Sequence, residues 1–446
     1  MKNLIFILTF LFISCNNEKP YIKSVPEWSK NSIMYEVNIR QYTKEGTFKA
    51  FEKHLERIKE LGVDIIWFMP IHEIGELNRK GSLGSYYSVK DYKSINPEFG
   101  TIEDFNSLVK KIHDLDMKVI IDWVANHTSF DHIWVEEKKF DWYNLDSNGN
   151  LQPPNGTDWW DVADLNYDNS EMKDEMIECM KFWVENSNID GYRCDVADWV
   201  PIDFWNQCRK ELDKIKDVFM LAEAENPELH KDAFDMTYGW HLHFVMNEIA
   251  NGNKNSLDIL DYLNNKSKDF PNDAYRLHFT SNHDENSWKG STIERLGNSL
   301  KTFAALTVTL EGMPLIYNGQ EANLSKRLKF FEKDSIEWKN YELSEFYKNL
   351  FTMKKNNQAL WNGKYGGNIE LISNKNDSIN LCFIRQKEKN KVVSFYNLSN
   401  DSTVCNVESK NLNGIYYDYE TKKEVTFNDK EKISLSPWEF KIYINL

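Results

Sequence analysis

The feature that most constrains the fold is a repeated alternation of short apolar strands with amphipathic helices along the 446-residue chain. The strands read as near-continuous apolar runs, which is typical of parallel strands covered on both faces. Eight segments fit this description: residues 32–37, 63–70, 117–124, 189–196, 218–223, 233–238, 276–282 and 314–317. Between them, segments such as 47–61 and 101–115 carry their apolar residues on one helical face. Regular alternation of this kind predicts a closed (β/α)8 barrel rather than an open sheet.

Two departures from the alternation define the domain organisation. Residues 127–169 separate the third and fourth strand candidates and are too many for an ordinary loop, so we expect a small inserted subdomain there. From about Gly366 the pattern changes to short alternating runs between polar turns, which predicts a C-terminal antiparallel β domain of the sandwich type. We therefore assign residues 1–20 to a signal and tether, 21–360 to the barrel and 361–446 to the β domain.

The first residues are typical of an export signal rather than of a folded domain. Lys2 precedes an apolar run, residues 4–13, that is too short to span a bilayer as a helix. The run ends at Ser14-Cys15, which resembles a bacterial lipoprotein signal in which the cysteine becomes lipidated. We thus expect an exported protein, periplasmic or on the cell surface, held on a membrane through Cys15. The alternative is an ordinary secretory signal with an incidental cysteine.

Composition narrows the range of partners. The net charge is −15 and no long basic run occurs, so nucleic acid is not an expected partner.

Five further cysteines are scattered without a metal-type pair, and we interpret them as buried thiols: Cys179, Cys194, Cys208, Cys382 and Cys405.

Polar and charged side chains recur where the predicted strands end. In a barrel of this type the carboxyl ends of the strands form one rim, where functional side chains gather. The candidates at these ends are Tyr87, Asp122, His127, Arg193, Asp195, Glu223, His283 and Asp284. Any one of them alone could form a structural ion pair. Together they are costly without a function, because like charges at one rim repel each other.

Carboxylates without a hydroxyl or thiol nucleophile are typical of glycoside hydrolysis. Arg193 lies two residues before Asp195 on the same side of a strand, so we expect it to lower the pKa of that carboxyl group and keep it ionised. Glu223 follows an apolar run and is therefore the better proton donor. Glu225 competes for this role, but we place it outside the site. Asp284 could bind sugar hydroxyl groups.

These blocks resemble the α-amylase family of retaining α-glucan hydrolases. The four blocks that carry the resemblance, in chain order, are residues 122–127, 191–195, 223 and 282–284. Residues 163–166 resemble the family's block in the inserted domain, and residues 85–92 resemble its second-strand rim. The resemblance implies that Asp195 is the nucleophile, Glu223 the acid/base and Asp284 the stabiliser of the transition state.

The resemblance also implies the residues of the sugar subsite and a metal site. The side chains expected to line the subsite of the reacting glucose are Tyr87, Asp122, His127, Arg193 and His283. Calcium would be held by Asn126 and Asp164 with a backbone carbonyl, and no organic cofactor is implied. One departure concerns the leaving side, where Asp198-Trp199 replace the Lys-His of many α-amylases. Another is Ala222, which stands where the family has glycine.

The expected function is retaining hydrolysis of α-1,4-glucosidic bonds in starch or maltooligosaccharides through a covalent glycosyl–enzyme intermediate. Cyclodextrin or pullulan hydrolysis and α-glucan transglycosylation use the same intermediate and stay open, since loops at the rim choose between them. A non-catalytic glucan-binding protein is the alternative of a different class. Such a protein would be expected to have lost one of the three carboxylates, and all three are present.

Overall fold

The computed structural model describes residues 21–445, and its centre is a closed barrel of eight parallel strands. The barrel strands are Met34–Val37 (β1), Ile65–Phe68 (β2), Lys118–Trp123 (β3), Gly191–Cys194 (β4), Phe219–Ala222 (β5), Met236–Tyr238 (β6), Tyr275–Phe279 (β7) and Met313–Tyr317 (β8). They pair in chain order, and β8 pairs with β1 to close the barrel. The predicted (β/α)8 fold is confirmed.

Alternation of side chains along each strand divides the core into two layers. Ile65 and Trp67 of β2 point into the barrel and join a cluster that fills its interior. Ile66 and Phe68 point outward and join the larger cluster beneath the helices. Both faces of the strand are therefore buried, which explains why the barrel strands read as continuous apolar runs.

Twelve α-helices occur in the described residues, and the helical segments predicted over 47–61 and 101–115 are among them. Their bounds are Ile39–Tyr42, Phe48–Glu52, Leu55–Leu61, Ile102–Asp114, Ile133–Glu136, Ser170–Ser187, Ile202–Asp213, Trp240–Ala250, Ser256–Asn264, Thr292–Leu296, Leu300–Thr309 and Ser344–Asn356. Thr101 and Asp104 form a capping box at the start of the helix Ile102–Asp114. The single helix predicted over 47–61 is interrupted at Lys53 and His54, where the His54 ring packs against Tyr42.

The segment inserted after β3 covers part of the rim at the carboxyl ends of the strands. Its antiparallel strands His127–Ser129 and Val162–Asp164 pair with each other. A second small pair, Glu73–Ile74 and Val89–Asp91, lies in the loop after β2. Lys80 of this loop forms an ion pair with Asp161 at 3.0 Å, which joins the two segments above the barrel.

The C-terminal part is antiparallel throughout, as predicted. A six-stranded sheet has the spatial order Ile369–Leu371, Asn380–Lys387, Asn390–Asn397, Phe440–Ile444, Gly414–Asp418 and Glu424–Phe427. A two-stranded pair, Thr403–Glu408 and Lys430–Leu435, packs with it around a shared apolar cluster. The sequence analysis missed the strands Glu424–Phe427 and Thr403–Glu408, whose exposed faces break up the apolar signal. The domain boundaries proposed above stay predictions.

Among residues 21–445, no helix is both long enough and apolar enough to cross a bilayer. Cys15 and the rest of the predicted signal lie outside the described residues. The five cysteines within the described range are buried and free, as expected: Cys179, Cys194, Cys208, Cys382 and Cys405.

Candidate active site

A cavity of about 480 Å³ opens at the carboxyl ends of the barrel strands. Six of the side chains predicted to be functional line it: Tyr87, His127, Asp195, Glu223, His283 and Asp284. Five aromatic side chains that the sequence analysis did not select complete its walls: Trp159, Trp160, Trp288, Phe330 and Phe331. The three candidate catalytic carboxylates therefore share one cavity of a size suited to sugar rings.

Arg193 of β4 lies at the centre of the charged groups and is fully buried. Its Nη1 lies 2.8 Å from Asp122 Oδ1 and 2.8 Å from Asp195 Oδ1, and donates to both. Its Nη2 lies 2.9 Å from Glu223 Oε1, in an ionic contact whose angles do not suit a hydrogen bond. Its Nε donates to the hydroxyl of Tyr238 at 3.2 Å. One guanidinium thus contacts the candidate nucleophile and the candidate acid together.

Burial and charge give the two carboxyl groups different proton affinities. Burial raises the pKa of Glu223 to about 7; Arg193 opposes this rise, and the Asp195 carboxylate adds to it. Burial also raises the pKa of Asp195 to about 6, although Arg193 lowers it. The prediction that Arg193 keeps this pKa below its usual value is wrong, because desolvation outweighs one shared cation. Glu223 still holds its proton to higher pH than Asp195.

The turn after β4 holds the side chain of Glu223 in place. Glu223 Oε2 accepts the backbone N–H of Val196 at 3.0 Å, and the Glu223 carbonyl accepts the N–H of Ala197 at 3.2 Å. Val196 has a φ of 36°, in the left-handed region that β-branched residues rarely adopt. This strained conformation directs the Val196 N–H at the carboxylate. Nothing in the sequence of this turn signals it.

His283 connects the third carboxylate to the barrel wall. Its Nε2 lies 2.8 Å from the hydroxyl of Tyr87 and 3.3 Å from Asp284 Oδ2, and its Nδ1 hydrogen-bonds to Glu36. Burial lowers the pKa of His283, but the carboxylates of Asp284 and Glu36 outweigh it and raise this pKa to about 9. Glu36 is fully buried in β1, and sequence reasoning missed it. Its signal was a lone carboxylate inside an apolar strand.

Asp122 and Arg193 lie beneath the cavity and not in its lining, which differs from the prediction that they line the sugar subsite. Asp122 is fully buried. Its Oδ2 accepts hydrogen bonds from Trp67 Nε1 at 3.2 Å and from the Tyr87 hydroxyl at 3.1 Å. Since Asp122 also accepts from Arg193, its lone pairs are engaged by the protein. Both residues are thus placed to position other side chains.

His127 joins the site as a neutral side chain, because burial lowers its pKa to about 3. Its ring lies 5.4 Å from that of Trp159, which in turn stacks on Trp199 at 5.3 Å. On another wall, Trp288 packs against Phe330 at 5.2 Å. The cavity is therefore bounded by aromatic faces on two sides.

Glu225, the competing acid candidate, points away from this cavity. Its Oε1 forms an ion pair with Arg276, and its Oε2 accepts the N–H of His241 at 2.8 Å. It is absent from the cavity lining. The structure therefore places Glu225 outside the site, where the sequence analysis put it.

Asn126 directly precedes the strand His127–Ser129, and Asp164, the other predicted calcium ligand, ends the partner strand Val162–Asp164. The Leu165 N–H donates to the Asn126 carbonyl at 3.1 Å, and Asp164 Oδ2 accepts the Asn144 amide at 2.7 Å. Calcium takes six to eight oxygen ligands, of which these two side chains could supply only a minority. Within the described part of the chain, no three His, Cys, Asp or Glu side chains form a metal-binding group.

Comparisons with known proteins agree with this geometry. The catalytic-domain description of the Alpha-amylase family matches residues 21–362. Alpha-amylase 3 of Dictyoglomus thermophilum is 27% identical, over 98% of this chain and 97% of its own length. The crystal structure of an α-amylase from Lactobacillus plantarum is 30% identical with a TM-score of 0.84, covering 94% of this chain and 100% of that one.

A second solved structure shares the fold to the same extent. The noncanonic maltogenic α-amylase AmyB from Thermotoga neapolitana is 29% identical with a TM-score of 0.84, covering 94% of this chain and 99% of that one. Because the family description spans residues 21–362, well over half of the chain, the protein belongs to the α-amylase family of glycoside hydrolases.

Proposed function

We propose that the protein hydrolyses α-1,4-glucosidic bonds of starch or maltooligosaccharides with retention of configuration, using Asp195 as nucleophile and Glu223 as acid/base. The observation that carries this proposal is the Arg193 guanidinium, which contacts both carboxyl groups beneath one cavity. Because Asp195 and Glu223 contact the two terminal nitrogens of one guanidinium, their carboxyl groups lie close together, which suits direct attack by one of them on the sugar. The pKa order supports the assignment, since Glu223 retains its proton when Asp195 is ionised.

The first step forms the glycosyl–enzyme intermediate. The ionised Asp195 attacks the anomeric carbon, and the bond from this carbon to the glycosidic oxygen breaks. Glu223 donates its proton to that oxygen, so the shortened glucan leaves as an alcohol and Glu223 becomes a carboxylate. Arg193 stays beside both groups and stabilises whichever of them carries the negative charge.

The second step reverses these roles. Glu223, now ionised, takes a proton from a water molecule, whose oxygen attacks the anomeric carbon and breaks the ester bond to Asp195. Two displacements at one carbon restore its original configuration. Glu223 is then protonated and Asp195 ionised, as at the start.

The remaining side chains of the cavity bind the reacting sugar. Asp284 is half-buried on the cavity wall. Its carboxylate can accept hydrogen bonds from hydroxyl groups of the sugar ring as the ring flattens toward a cation. His283 holds Asp284 and the hydroxyl of Tyr87 together, and its positive charge balances the neighbouring carboxylates. His127 is neutral, so its ring can donate a hydrogen bond to a sugar hydroxyl group or accept one from it.

Replacing Glu223 tests the assignment. The Glu223→Gln protein should lose about 10²–10⁴-fold in kcat on maltooligosaccharides while still binding them, because the leaving oxygen no longer receives a proton. An α-maltosyl fluoride should still form the intermediate with this variant, since fluoride leaves without protonation. Glu225→Gln is the matched control and should keep near-normal turnover. Unchanged turnover in Glu223→Gln, or full activity in Asp195→Asn, would remove the proposed roles.

Substrate choice within this chemistry stays open between linear glucans, cyclodextrin, pullulan and transfer to a second saccharide. Two similar proteins carry the word maltogenic in their names: the Thermotoga neapolitana structure and an enzyme of Bacillus acidopullulyticus, which is 26% identical over 86% of this chain. Chromatography of the products from starch, cyclodextrin and pullulan separates these possibilities. Release of a uniform series of maltooligosaccharides from starch alone would support the leading proposal.

Calcium binding at Asn126 and Asp164 remains a proposal that rests on family resemblance. The two side chains offer one carboxylate and one amide oxygen, so backbone carbonyls and water would have to complete the ligand set. Calcium added to chelator-treated protein should then raise the melting temperature. An unchanged melting temperature would argue against the site.

Lipid attachment at Cys15 is likewise a proposal, supported by the sequence of residues 4–15. The mature protein should then begin at this cysteine and partition with membranes. Mass spectrometry of the mature N-terminus decides between lipidation and cleavage as an ordinary secreted protein.

A further inference from the structure

Glu36 is a buried carboxylate that the mechanism described above does not use. It lies in β1 two residues after Met34, whose side chain belongs to the cluster inside the barrel. Because side chains alternate along a strand, Glu36 also points into the barrel, near the carboxyl end of β1. It is fully buried. A buried carboxylate costs stability unless hydrogen bonds or a cation compensate its charge, so its partners indicate its role.

His283 supplies the hydrogen bonds of this carboxylate. Glu36 Oε1 lies 2.5 Å from His283 Nδ1 and accepts the backbone N–H of the same histidine at 3.4 Å. Glu36 Oε2 is buried and has no hydrogen-bond partner among the described residues. An unpaired buried oxygen lowers stability, so packing alone does not favour a glutamate at this position. The carboxylate is instead directed at a single side chain.

The partners of the second ring nitrogen indicate that it also carries a proton. His283 Nε2 lies 2.8 Å from the Tyr87 hydroxyl, and this hydroxyl donates its own proton to Asp122 Oδ2 at 3.1 Å. The Tyr87 oxygen is therefore the acceptor of the bond to Nε2. Since Nδ1 faces the Glu36 carboxylate, both ring nitrogens face acceptors. Only the doubly protonated imidazolium can donate to both.

The proton on Nε2 also links His283 to Asp284. Asp284 Oδ2 lies 3.3 Å from Nε2, and within the described part of the chain this carboxylate forms no other ion pair. A neutral ring that kept its one proton on Nδ1, against Glu36, would turn a nitrogen lone pair toward Asp284. The charge of His283 therefore decides whether Asp284 has a partner that holds it beside the reacting sugar.

Several groups set the charge of His283. Burial lowers its pKa, the carboxylates of Asp284 and Glu36 raise it to about 9, and Arg193 of β4 lowers it. Asp122 of β3 is a further carboxylate whose charge interacts with the ring. Buried tyrosine hydroxyl groups, whose pKa values are raised by burial, complete the titratable surroundings: Tyr87, Tyr238 and Tyr317. Glu36 is absent from the cavity lining, so it can act on this charge without touching a sugar.

We propose that Glu36 is a positioning residue of the reaction proposed above. Its carboxylate keeps His283 in the imidazolium form, and the Nε2 proton of this ring then holds Asp284 and the Tyr87 hydroxyl in place beside the reacting sugar. Glu36 acts through His283 and does not contact the substrate. The inference rests on the proposed function, in which Asp284 binds the sugar ring as it flattens toward a cation.

Glu36→Gln removes the charge and keeps the shape of the side chain. We expect kcat on a maltooligosaccharide to fall about tenfold at about pH 7, with KM within about twofold of wild type, because Asp284 acts mainly in the transition state. The loss should shrink as the pH is lowered toward about 5, since the ring then gains its second proton without the help of Glu36. Initial rates of both proteins between about pH 5 and 8 measure this ratio.

Nuclear magnetic resonance of the histidine ring nitrogens measures the charge without depending on turnover. In the wild type, His283 should stay protonated up to about pH 9, and in Glu36→Gln it should lose its proton at least about one pH unit lower. His283→Gln identifies its signal among those of the ten histidines. Adding Glu36→Gln to His283→Gln should not lower kcat further, because Glu36 acts through this ring.

Two further variants separate the charge from a structural role. Glu36→Asp keeps a carboxylate and should retain more activity at neutral pH than Glu36→Gln, although its side chain is shorter. Asp235→Asn is the matched control. Asp235 is fully buried immediately before β6, at the opposite end of the barrel, and pairs with Arg209 at 2.9 Å. Its replacement should lower stability and leave the pH dependence of kcat unchanged.

An unchanged titration of His283 in Glu36→Gln would overturn the inference, and so would a loss of kcat that is equal at every pH. A further loss on adding Glu36→Gln to His283→Gln would show that Glu36 acts by another route. Absence of turnover in the wild type would instead refute the proposed function, and the ring titration would still decide whether Glu36 sets the charge of His283. Near-ultraviolet circular dichroism checks that each variant is folded.

Discussion

At the scale of single residues, the buried carboxylates around Arg193 outnumber the guanidinium group that they share. Arg193 contacts Asp122, Asp195 and Glu223, all within the barrel. A single cation does not compensate the desolvation of three carboxylates, so the pKa of each is raised. Burial, with a smaller contribution from the neighbouring carboxylates, therefore raises the pKa of Glu223 enough for it to hold a proton near neutral pH.

This arrangement predicts a narrow pH profile. The proposed mechanism needs an ionised Asp195, which is favoured as the pH rises above about 6. It also needs a protonated Glu223, and this proton is lost as the pH rises through about 7. We expect kcat/KM on a maltooligosaccharide to be bell-shaped, with its maximum between these values and the limbs belonging to the coupled pair. Initial rates measured in constant-ionic-strength buffers test this, and a profile that stays flat well above neutral pH would contradict it.

At the scale of elements, the short turn after β4 makes two contacts with the walls of the candidate active site. It supplies the Val196 N–H to Glu223, and its Trp199 ring stacks on Trp159 of the inserted segment. The left-handed conformation of Val196 costs about 1–2 kcal/mol for a residue with a Cβ atom. The contacts of the surrounding turn with Glu223 maintain this strain.

Two neighbouring glycine substitutions test that strain. Val196→Gly removes the steric conflict at φ 36°, which should offset most of the roughly 0.5–1 kcal/mol entropic cost of glycine. Ala197→Gly has no such conflict to relieve and loses a buried methyl group, so we expect it to cost about 1–2 kcal/mol. Urea unfolding of both variants measures the difference. A larger loss of stability in Val196→Gly than in Ala197→Gly would show that the turn is unstrained.

At the scale of the whole molecule, Arg385 joins the C-terminal sheet to the barrel. It is buried, and its guanidinium donates to the carbonyls of Thr309 at 3.0 Å and Leu310 at 2.7 Å, where a barrel helix ends. It also donates to the carbonyls of Gly367 and Trp361. Carbonyl groups left open at a helix end are thereby satisfied across the domain junction.

Replacing Arg385 should lower the stability of the protein without lowering its catalytic activity. Arg385→Met leaves several buried carbonyls without donors, at about 1–3 kcal/mol each, so we expect a loss of at least about 3 kcal/mol in unfolding free energy. Leu310 precedes β8, at the end of the barrel away from the active site, so kcat/KM of the folded variant should stay within about twofold of wild type. Denaturant unfolding and steady-state kinetics test both parts.

The control for this prediction is a cation of the same type on the surface. Arg327 is half-exposed and pairs with Glu294 at 3.3 Å. Its replacement by Met should change stability by no more than about 0.5 kcal/mol, because solvent screens such pairs. Equal effects of the two substitutions would mean that Arg385 contributes no more than a surface charge.

The amino-acid sequence by itself determined the fold class and the identity of the groups around the cavity. Apolar runs and helical periodicity are local signals, and the predicted strand 189–196 placed Arg193 and Asp195 two positions apart on one face. The ends of several other strands supplied further polar groups, such as Glu223, and the barrel brings these strand ends to one rim. These inferences need only the chain and the topology that its periodicity implies.

Tertiary structure alone decided which groups touch and how they titrate. Glu36 meets His283 across 247 positions of sequence, and Trp159 meets Trp199 from two different segments. The pKa of Asp195 is raised and not lowered, because desolvation depends on how much protein surrounds a group, and no sequence pattern records that. Contacts and dielectric environment are set by packing between distant segments, so they exist only once the chain has folded.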